Sequence, residues 1–121
     1  MPGEVKRAVR VAERVRQEIS WLLARDARDP GLADVVVSRV EMPDDLRSAR
    51  VYVRTLRGDG RDEALAALER AQGMLRREVT SRVKLRYAPT LKFLYDEGQD
   101  KLARIEELLE EVRADERKRG G

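Results

Sequence analysis

The sequence predicts an α+β domain in which amphipathic helices pack against a small β-sheet. Two patterns predict that class: apolar residues recur at helical spacing in long segments, and shorter segments alternate apolar with polar residues. Size agrees, because 121 residues fit one ordinary domain and 41% hydrophobic residues supply its core. With 40% of residues charged and a mean hydropathy of −0.63, the exterior is expected to be densely ionic.

A first helix is predicted over residues 4 to 26. One side of a helical wheel is apolar and is formed by Val5, Ala8, Ala12, Val15, Ile19, Leu22 and Leu23. Cations gather on the opposite side, at Lys6, Arg7, Arg10 and Arg14. The helix is expected to end before Pro30 and Gly31, because proline cannot continue a helix and glycine permits a turn.

Two antiparallel strands are predicted next. Residues 35 to 42 are rich in β-branched side chains and alternate beyond Val37, and residues 49 to 56 alternate throughout. The turn-forming residues 43 to 48 lie between them, which is typical of two strands joined by a short loop.

A long helical pattern follows the break at residues 58 to 60 and continues to Val83. We expect Asp59 to cap its start through its side chain. Gly73 lies inside the pattern, where a glycine costs about 1 kcal/mol relative to alanine. The sequence therefore predicts two helices separated by a kink at Ala71 and Gly73.

After Pro89, residues 90 to 95 are predicted to form a third strand. A last amphipathic helix follows, with an apolar stripe at Leu102, Ile105, Leu108, Leu109 and Val112. Residues 117 to 121 are expected to form a flexible tail. The predicted organisation is a core over residues 1 to 98 and, within the same domain, an appended helix and tail over residues 99 to 121.

The composition excludes most enzyme classes. The chain has no cysteine and no histidine, which removes thiolate and histidine catalysis and nearly all transition-metal sites. Acidic pairs occur at the predicted turns, but none has the spacing of a calcium loop. We therefore predict no catalytic residue, no metal and no cofactor. No apolar run approaches the roughly twenty residues of a membrane span, so a cytoplasmic protein is expected.

Four segments carry a family resemblance, in order and with matching spacing. They are RVAERVRQEISWLLARDARDPGL at 10 to 32, SRVEMPDDLRSARVYV at 38 to 53, AQGMLRREV at 71 to 79, and LRYAPTLKFLYDEG at 85 to 98. Together they resemble bacterial ribosome-binding factor A over roughly residues 7 to 112. The predicted order, helix, strand, strand, helix, kink, helix, strand, is that of a type II KH domain, a common RNA-binding module, here with an extra C-terminal helix.

The resemblance implies a cytoplasmic, non-catalytic assembly factor. Such a factor binds the immature small ribosomal subunit and its rRNA near the neck and decoding region, assists late maturation and rRNA processing, and then leaves. A monomer is expected, and a GTPase is a candidate partner for release. The family replaces the Gly-x-x-Gly loop of ordinary KH domains by Ala-x-Gly, here Ala71-Gln72-Gly73. Two departures are Gly31, where the family usually has arginine, and Thr90, where it usually has glutamate.

The candidate RNA-binding surface is the stretch of residues 70 to 92, in which basic residues most outnumber acidic ones. Clustered cations release counterions from RNA, and Glu78 is the one acidic residue in this stretch. On a helical wheel, Arg77, Ser81 and Lys84 share one outward stripe. The alternative interpretation is an ordinary solvated face. The candidate contacts are Arg70, Gln72, Arg76, Arg77, Ser81, Arg82, Lys84 and Arg86, and Lys92 continues the stretch.

A second candidate patch lies on the first predicted helix, at Arg7, Arg10 and Arg14. Two interpretations stay open there, because Glu4, Glu13 and Glu18 lie at spacings that allow them to pair with these cations. Trp21 falls on the same side. It either stacks on a base or a protein partner, or packs over the edge of an element.

Two further features favour other interpretations. Arg50, Tyr52 and Arg54 share one face of the second predicted strand, which we expect to be the solvated face of the sheet. The apolar stripe of the last helix supports an alternative function, a protein–protein adaptor or dimerisation module. That stripe could equally close the domain's own sheet.

Overall fold

The helices and strands of the structure follow the predicted order. The computed structural model describes residues 6–25 and 29–120, without the side chains of residues 99–104, 119 and 120. The α+β class is confirmed, and each strand begins and ends within one residue of its predicted bounds. The elements are α1 (Arg7–Arg25), a 3₁₀ turn (Pro30–Leu32), β1 (Val35–Glu41), β2 (Ser48–Thr55), α2 (Arg61–Val83), β3 (Thr90–Tyr95) and α3 (Glu97–Gly120).

The strand β2 lies at the centre of the sheet, whose order is β1-β2-β3. β1 pairs with β2 antiparallel, as predicted, and β2 pairs with β3 in parallel. A parallel pair needs a crossover connection, which α2 provides. The turn before β2 and the loop before β3 therefore meet at the end of the sheet where both strands begin, which we call the sheet edge. There the Thr90 amide donates to the Arg47 carbonyl at 3.0 Å.

The helix α1 contributes one buried stripe to the core. The side chains predicted to face inward are buried from Ala8 to Leu23, and Val15 and Ile19 are fully enclosed. The predicted helix also includes Glu4, Val5 and residue 26. These three lie outside the described residues. The inward side of α1 packs with α2 on a single face of the sheet.

The helix α2 is uninterrupted, so the predicted division into two helices at Ala71 and Gly73 is wrong. Leu68 and Leu75, which lie before and after Gly73, are both fully buried in the core shared with the sheet. Burying each such side chain contributes roughly 1.5–3 kcal/mol, more than the roughly 1 kcal/mol cost of a glycine in a helix. Packing on the sheet therefore carries the helix through this point.

The start of α2 also differs from the prediction. Gly60, rather than Asp59, is the cap residue, and it has the left-handed conformation with φ 72°. No side chain hydrogen-bonds to the first turn there. Glycine adopts this conformation without the steric penalty of a Cβ atom. A glycine turn, not a side-chain cap, therefore sets the start of α2.

The helix α3 extends further than predicted. It follows β3 directly and continues to Gly120, so residues 117 to 120, expected to be a flexible tail, are helical, while Gly121 lies outside the described residues. In the described part of its apolar stripe each side chain is about half exposed, so this part does not cover the sheet. The side chain of Leu102 lies outside the described residues. Among the helices of the described ranges, none has the length and apolar composition needed to cross a bilayer. The exposed stripe residues are Ile105, Leu108, Leu109 and Val112.

A partly buried hydrogen bond connects β1 to Asp96, the residue that follows β3. β1 carries a bulge between Val37 and Arg39, and there Ser38 Oγ donates to Asp96 Oδ2 at 2.6 Å. Asp96 is buried, and its Oδ1 accepts from the Gly98 amide at 3.2 Å. Because a buried carboxylate is costly without donors, Ser38 and Asp96 together stabilise the junction of β1, β3 and α3.

Replacing Ser38 by alanine should destabilise the protein by about 1–3 kcal/mol, because the buried Asp96 carboxylate then loses a donor. Thermal unfolding followed by circular dichroism measures the change. Ser81→Ala, on the exposed side of α2, is the matched control and should change stability by less than about 0.5 kcal/mol. Equal midpoints for the two variants would contradict this role of Ser38.

Candidate nucleic-acid interface

The C-terminal half of α2 presents a polar side to solvent. Arg77, Ser81 and Lys84 are exposed, as the helical wheel predicts, and Leu75 and Val79 are fully buried on the opposite side. Lys84 ends the helix in the left-handed conformation, with φ 60°, and its amide donates to the Thr80 carbonyl. We call Arg77, Ser81 and Lys84 the outward stripe.

A shallow groove of about 440 Å³ runs beside the outward stripe. It lies between α2 and the loop that leads into β3. Two arginines line this groove, whose wall is otherwise mainly apolar. The lining residues are Gly73, Arg76, Arg77, Thr80, Ser81 and Ala88.

Arg76 holds the loop before β3 in place. Its Nε donates to the Pro89 carbonyl and its Nη2 to the Ala88 carbonyl, both at 3.0 Å. The sequence predicts Arg76 as an RNA contact, but these two bonds give it a positioning role. It shapes one wall of the groove and projects less freely than Arg77.

Gln72, a further predicted contact, is engaged within the domain. Its Nε2 donates to the Leu91 carbonyl of β3 at 2.8 Å. Ala71 packs partly buried against the core, and Gly73 is exposed at the groove. The Ala71-Gln72-Gly73 motif therefore joins α2 to the sheet.

Arg82 connects α2 to α1. Its Nε lies 3.2 Å from Glu78 Oε2, and its Nη1 lies 3.9 Å from Glu18 Oε2. The same guanidinium lies over the Trp21 ring at 4.3 Å, and Arg25 lies 5.1 Å from that ring. These contacts favour the interpretation that Trp21 packs over the edge between the two helices.

Arg70 connects α2 to the turn before β1. Its Nη2 lies 2.9 Å from Asp29 Oδ2. The Gly31 amide, which donates to Asp29 Oδ1, and then Arg70 lower the pKa of that carboxyl below its usual value. A Cβ at Gly31 would lie 2.8 Å from the Ala67 Cβ, so the turn approaches α2 too closely for a larger residue without a shift. The glycine at this departure from the family pattern is thus explained by packing.

The candidate cations of α1 also differ in their surroundings. Arg14 lies 3.7 Å from Glu18, whereas Glu13 pairs with Arg16 at 2.6 Å. Arg7 and Arg10 are exposed. Three glutamates could compensate this patch. Glu18 pairs with Arg14, Glu13 pairs with Arg16, and Glu4 lies outside the described residues.

The loops at the sheet edge bring together two residues that the sequence did not single out. The Arg47 guanidinium lies over the Tyr87 ring at 4.4 Å, and Arg86 approaches the same ring at 5.4 Å. No local pattern could have revealed this, because the contact depends on the pairing of β2 with β3. It places Arg47 next to Arg86, at the end of the predicted basic stretch.

The fold and this surface define a class of protein. A helix, two antiparallel strands, a crossover helix and a parallel third strand form a KH-like domain, and cations project from its crossover helix. The chain therefore belongs to the class of proteins with a KH-like fold, a fold that is common among RNA-binding modules.

Comparison with known proteins gives the family. A family model described as ribosome-binding factor A matches residues 7–109. Ribosome-binding factor A of Sorangium cellulosum is 55% identical over 117 residues, covering 93% of this chain and 94% of the relative. The protein of the same name from Desulfitobacterium hafniense is 43% identical, covering 95% and 93%. This chain belongs to the ribosome-binding factor A family.

Solved structures agree with that assignment. The crystal structure of ribosome-binding factor A from Thermus thermophilus is 27% identical, with a TM-score of 0.64, covering 73% of this chain and 94% of that one. A homology model of the Thermus thermophilus protein, fitted into a cryo-electron microscopy map of its 30S complex, is 31% identical, with a TM-score of 0.51, covering 67% and 90%. The resemblance seen in the four sequence segments is confirmed. The family favours ribosome binding over the adaptor alternative.

Arg76 and Arg77 are neighbours with different environments, so they form a matched pair. Arg76→Ala should lower stability by about 1 kcal/mol, because two loop carbonyls lose their donor. Arg77→Ala should change stability by less than about 0.5 kcal/mol, because its side chain is exposed. Urea denaturation measures both. Indistinguishable midpoints would contradict the positioning role of Arg76.

Proposed function

We propose that this protein binds the immature small ribosomal subunit through its rRNA and assists late maturation and rRNA processing of that subunit. The outward stripe of α2, in a chain of this family, is the observation that carries the proposal. Among the described residues, Arg77, Lys84 and Arg86 form no ion pair, so their charges face solvent uncompensated. The Thermus thermophilus relative fitted into a map of its 30S complex supports this partner.

Side chains, rather than a backbone loop, make the proposed contacts. Ordinary KH domains clamp nucleotides with a Gly-x-x-Gly loop. Residues 71 to 73 lie within α2 here, where the amides donate to helical carbonyls. Guanidinium and ammonium groups therefore supply the phosphate contacts, and counterion release supplies most of the affinity.

The shape of folded rRNA supplies specificity in this proposal. Phosphate contacts fix position and orientation, but they carry no base sequence. The outward stripe contributes one set of contacts, and Arg7 and Arg10 on α1 contribute a second. Gln72, Arg76 and Arg82 act indirectly, because they hold α2 against β3, the loop and α1. Arg70 acts in the same indirect way through its ion pair with Asp29, whereas Arg14 pairs with Glu18 within α1.

The protein, as we propose it, acts by binding without catalysis, as a monomer in the cytoplasm. Its relatives are named as binding factors, which supports a binding role. Residues 1 to 98 form the RNA-binding part, and residues 99 to 121 are appended to it. A GTPase is the candidate partner for release from the subunit.

Replacing both Arg77 and Lys84 by glutamate should abolish co-sedimentation with precursor small subunits, because two phosphate contacts become repulsions. The thermal midpoint should stay nearly unchanged, since both side chains are exposed and neither pairs with an acid among the described residues. Arg76 is left intact because it holds the loop. Undiminished sedimentation would refute this assignment of the surface.

The matched control is Arg113→Glu with Arg117→Glu. Both side chains are exposed on α3, so this variant makes the same change in net charge on another helix. It should sediment like the unmodified protein. Equal losses in the two variants would show that net charge, not the outward stripe, controls binding.

A further inference from the structure

Two cations stand side by side on the open face of the sheet. Arg50 of β2 is the register partner of Lys92 of β3, and both are exposed. Neighbouring strands lie about 4.8 Å apart, so the two side chains leave the same face from adjacent positions. Like charges in such a position destabilise a sheet. This arrangement lowers stability unless an anion lies between the two groups.

The acidic residues of this face compensate the pair only in part. Glu41 is shared by two guanidinium groups, since its carboxylate lies 3.7 Å from Arg39 and 3.7 Å from Arg50. Lys92 has no ion pair among the described residues. Asp45, in the loop before β2, is engaged by the Arg47 amide at 3.0 Å. The open face therefore carries an excess of positive charge next to β3.

A series of cations connects the Arg50–Lys92 pair to the outward stripe. Lys84 and Arg86 follow the end of α2, and Arg86 and Arg47 both approach the Tyr87 ring. Arg47 lies directly before β2, and its carbonyl accepts from the Thr90 amide at the start of β3. Cations thus line the sheet edge from the end of α2 to the two strands that carry Arg50 and Lys92.

We propose that the open face of β2 and β3 is a further RNA-binding surface, with a phosphate group of the RNA backbone held between Arg50 and Lys92. An RNA strand bound on α2 passes round the sheet edge at Tyr87 and reaches this pair. This inference rests on the proposed function and extends it to the opposite face of the domain. It also changes the interpretation of this face, which the sequence alone predicts to be merely solvated.

The chemistry of the face favours a polyanion over a protein partner. The cations follow a row, as the charges of an RNA backbone do, and the apolar side chains of the same strands are buried on the other face. Tyr87 is 47% exposed, with guanidinium groups near its ring, so it holds cations toward solvent at the corner. A phosphate between Arg50 and Lys92 would remove their repulsion.

The test replaces both Arg50 and Lys92 by glutamine and measures binding to protein-free small-subunit rRNA and to intact precursor subunits over a salt series. The slope of log affinity against log salt is negative, and its magnitude should fall by about two, roughly one for each lost phosphate contact. Affinity at low salt should fall about tenfold or more. The thermal midpoint should stay equal or rise, because the repulsion is relieved. Arg113→Gln with Arg117→Gln is the control and should keep the full slope.

The outcomes separate this inference from the proposed function. If the unmodified protein shows salt-dependent binding to both probes and the double variant keeps its slope, the assignment of the open face is wrong and the proposed function stands. If the variant binds intact subunits less tightly but protein-free rRNA as before, the face contacts a ribosomal protein, which overturns the inference. If the unmodified protein binds neither probe, the proposed function itself fails.

Discussion

The burial of one side of α2 on the sheet is the constraint on which the rest of the structure depends. Leu68, Leu75 and Val79 are fully buried along that side. Successive residues of a helix are separated by about 100° around its axis, so a rotation by one position would expose all three. The rotation of α2 is therefore fixed by apolar packing. Arg77 and Ser81 point to solvent because the core leaves them no other direction.

The same constraint divides the basic and polar side chains by position around α2. Those nearest the sheet reach backbone or acidic groups of the domain, as Gln72 does at β3 and Arg76 does at the loop before it. Arg82 reaches α1 through Glu18 and the Trp21 ring. Positive charge in the sequence is thus a poor guide to binding by itself. Some of it stabilises the surface that the rest presents.

Much of the fold could be predicted because its signals are local. The wheel of α1 and the alternation of the strands depend on neighbouring residues, and the outward direction of Arg77 follows from the same periodicity. The continuity of α2 through Gly73 could not be predicted, since burial on the sheet outweighs the local cost of glycine. Arg47 beside Tyr87, and Arg50 beside Lys92, depend on the parallel register of β2 and β3. No pattern within one segment reveals that register.

Cryo-electron microscopy of the protein on precursor small subunits tests the central claim most directly. With rRNA bound to the outward stripe, the map should show RNA backbone within hydrogen-bonding distance of Arg77 and Lys84, and Arg76 still bound to its loop. A complex in which this side of α2 faces solvent, while another surface contacts the rRNA, would contradict the claim.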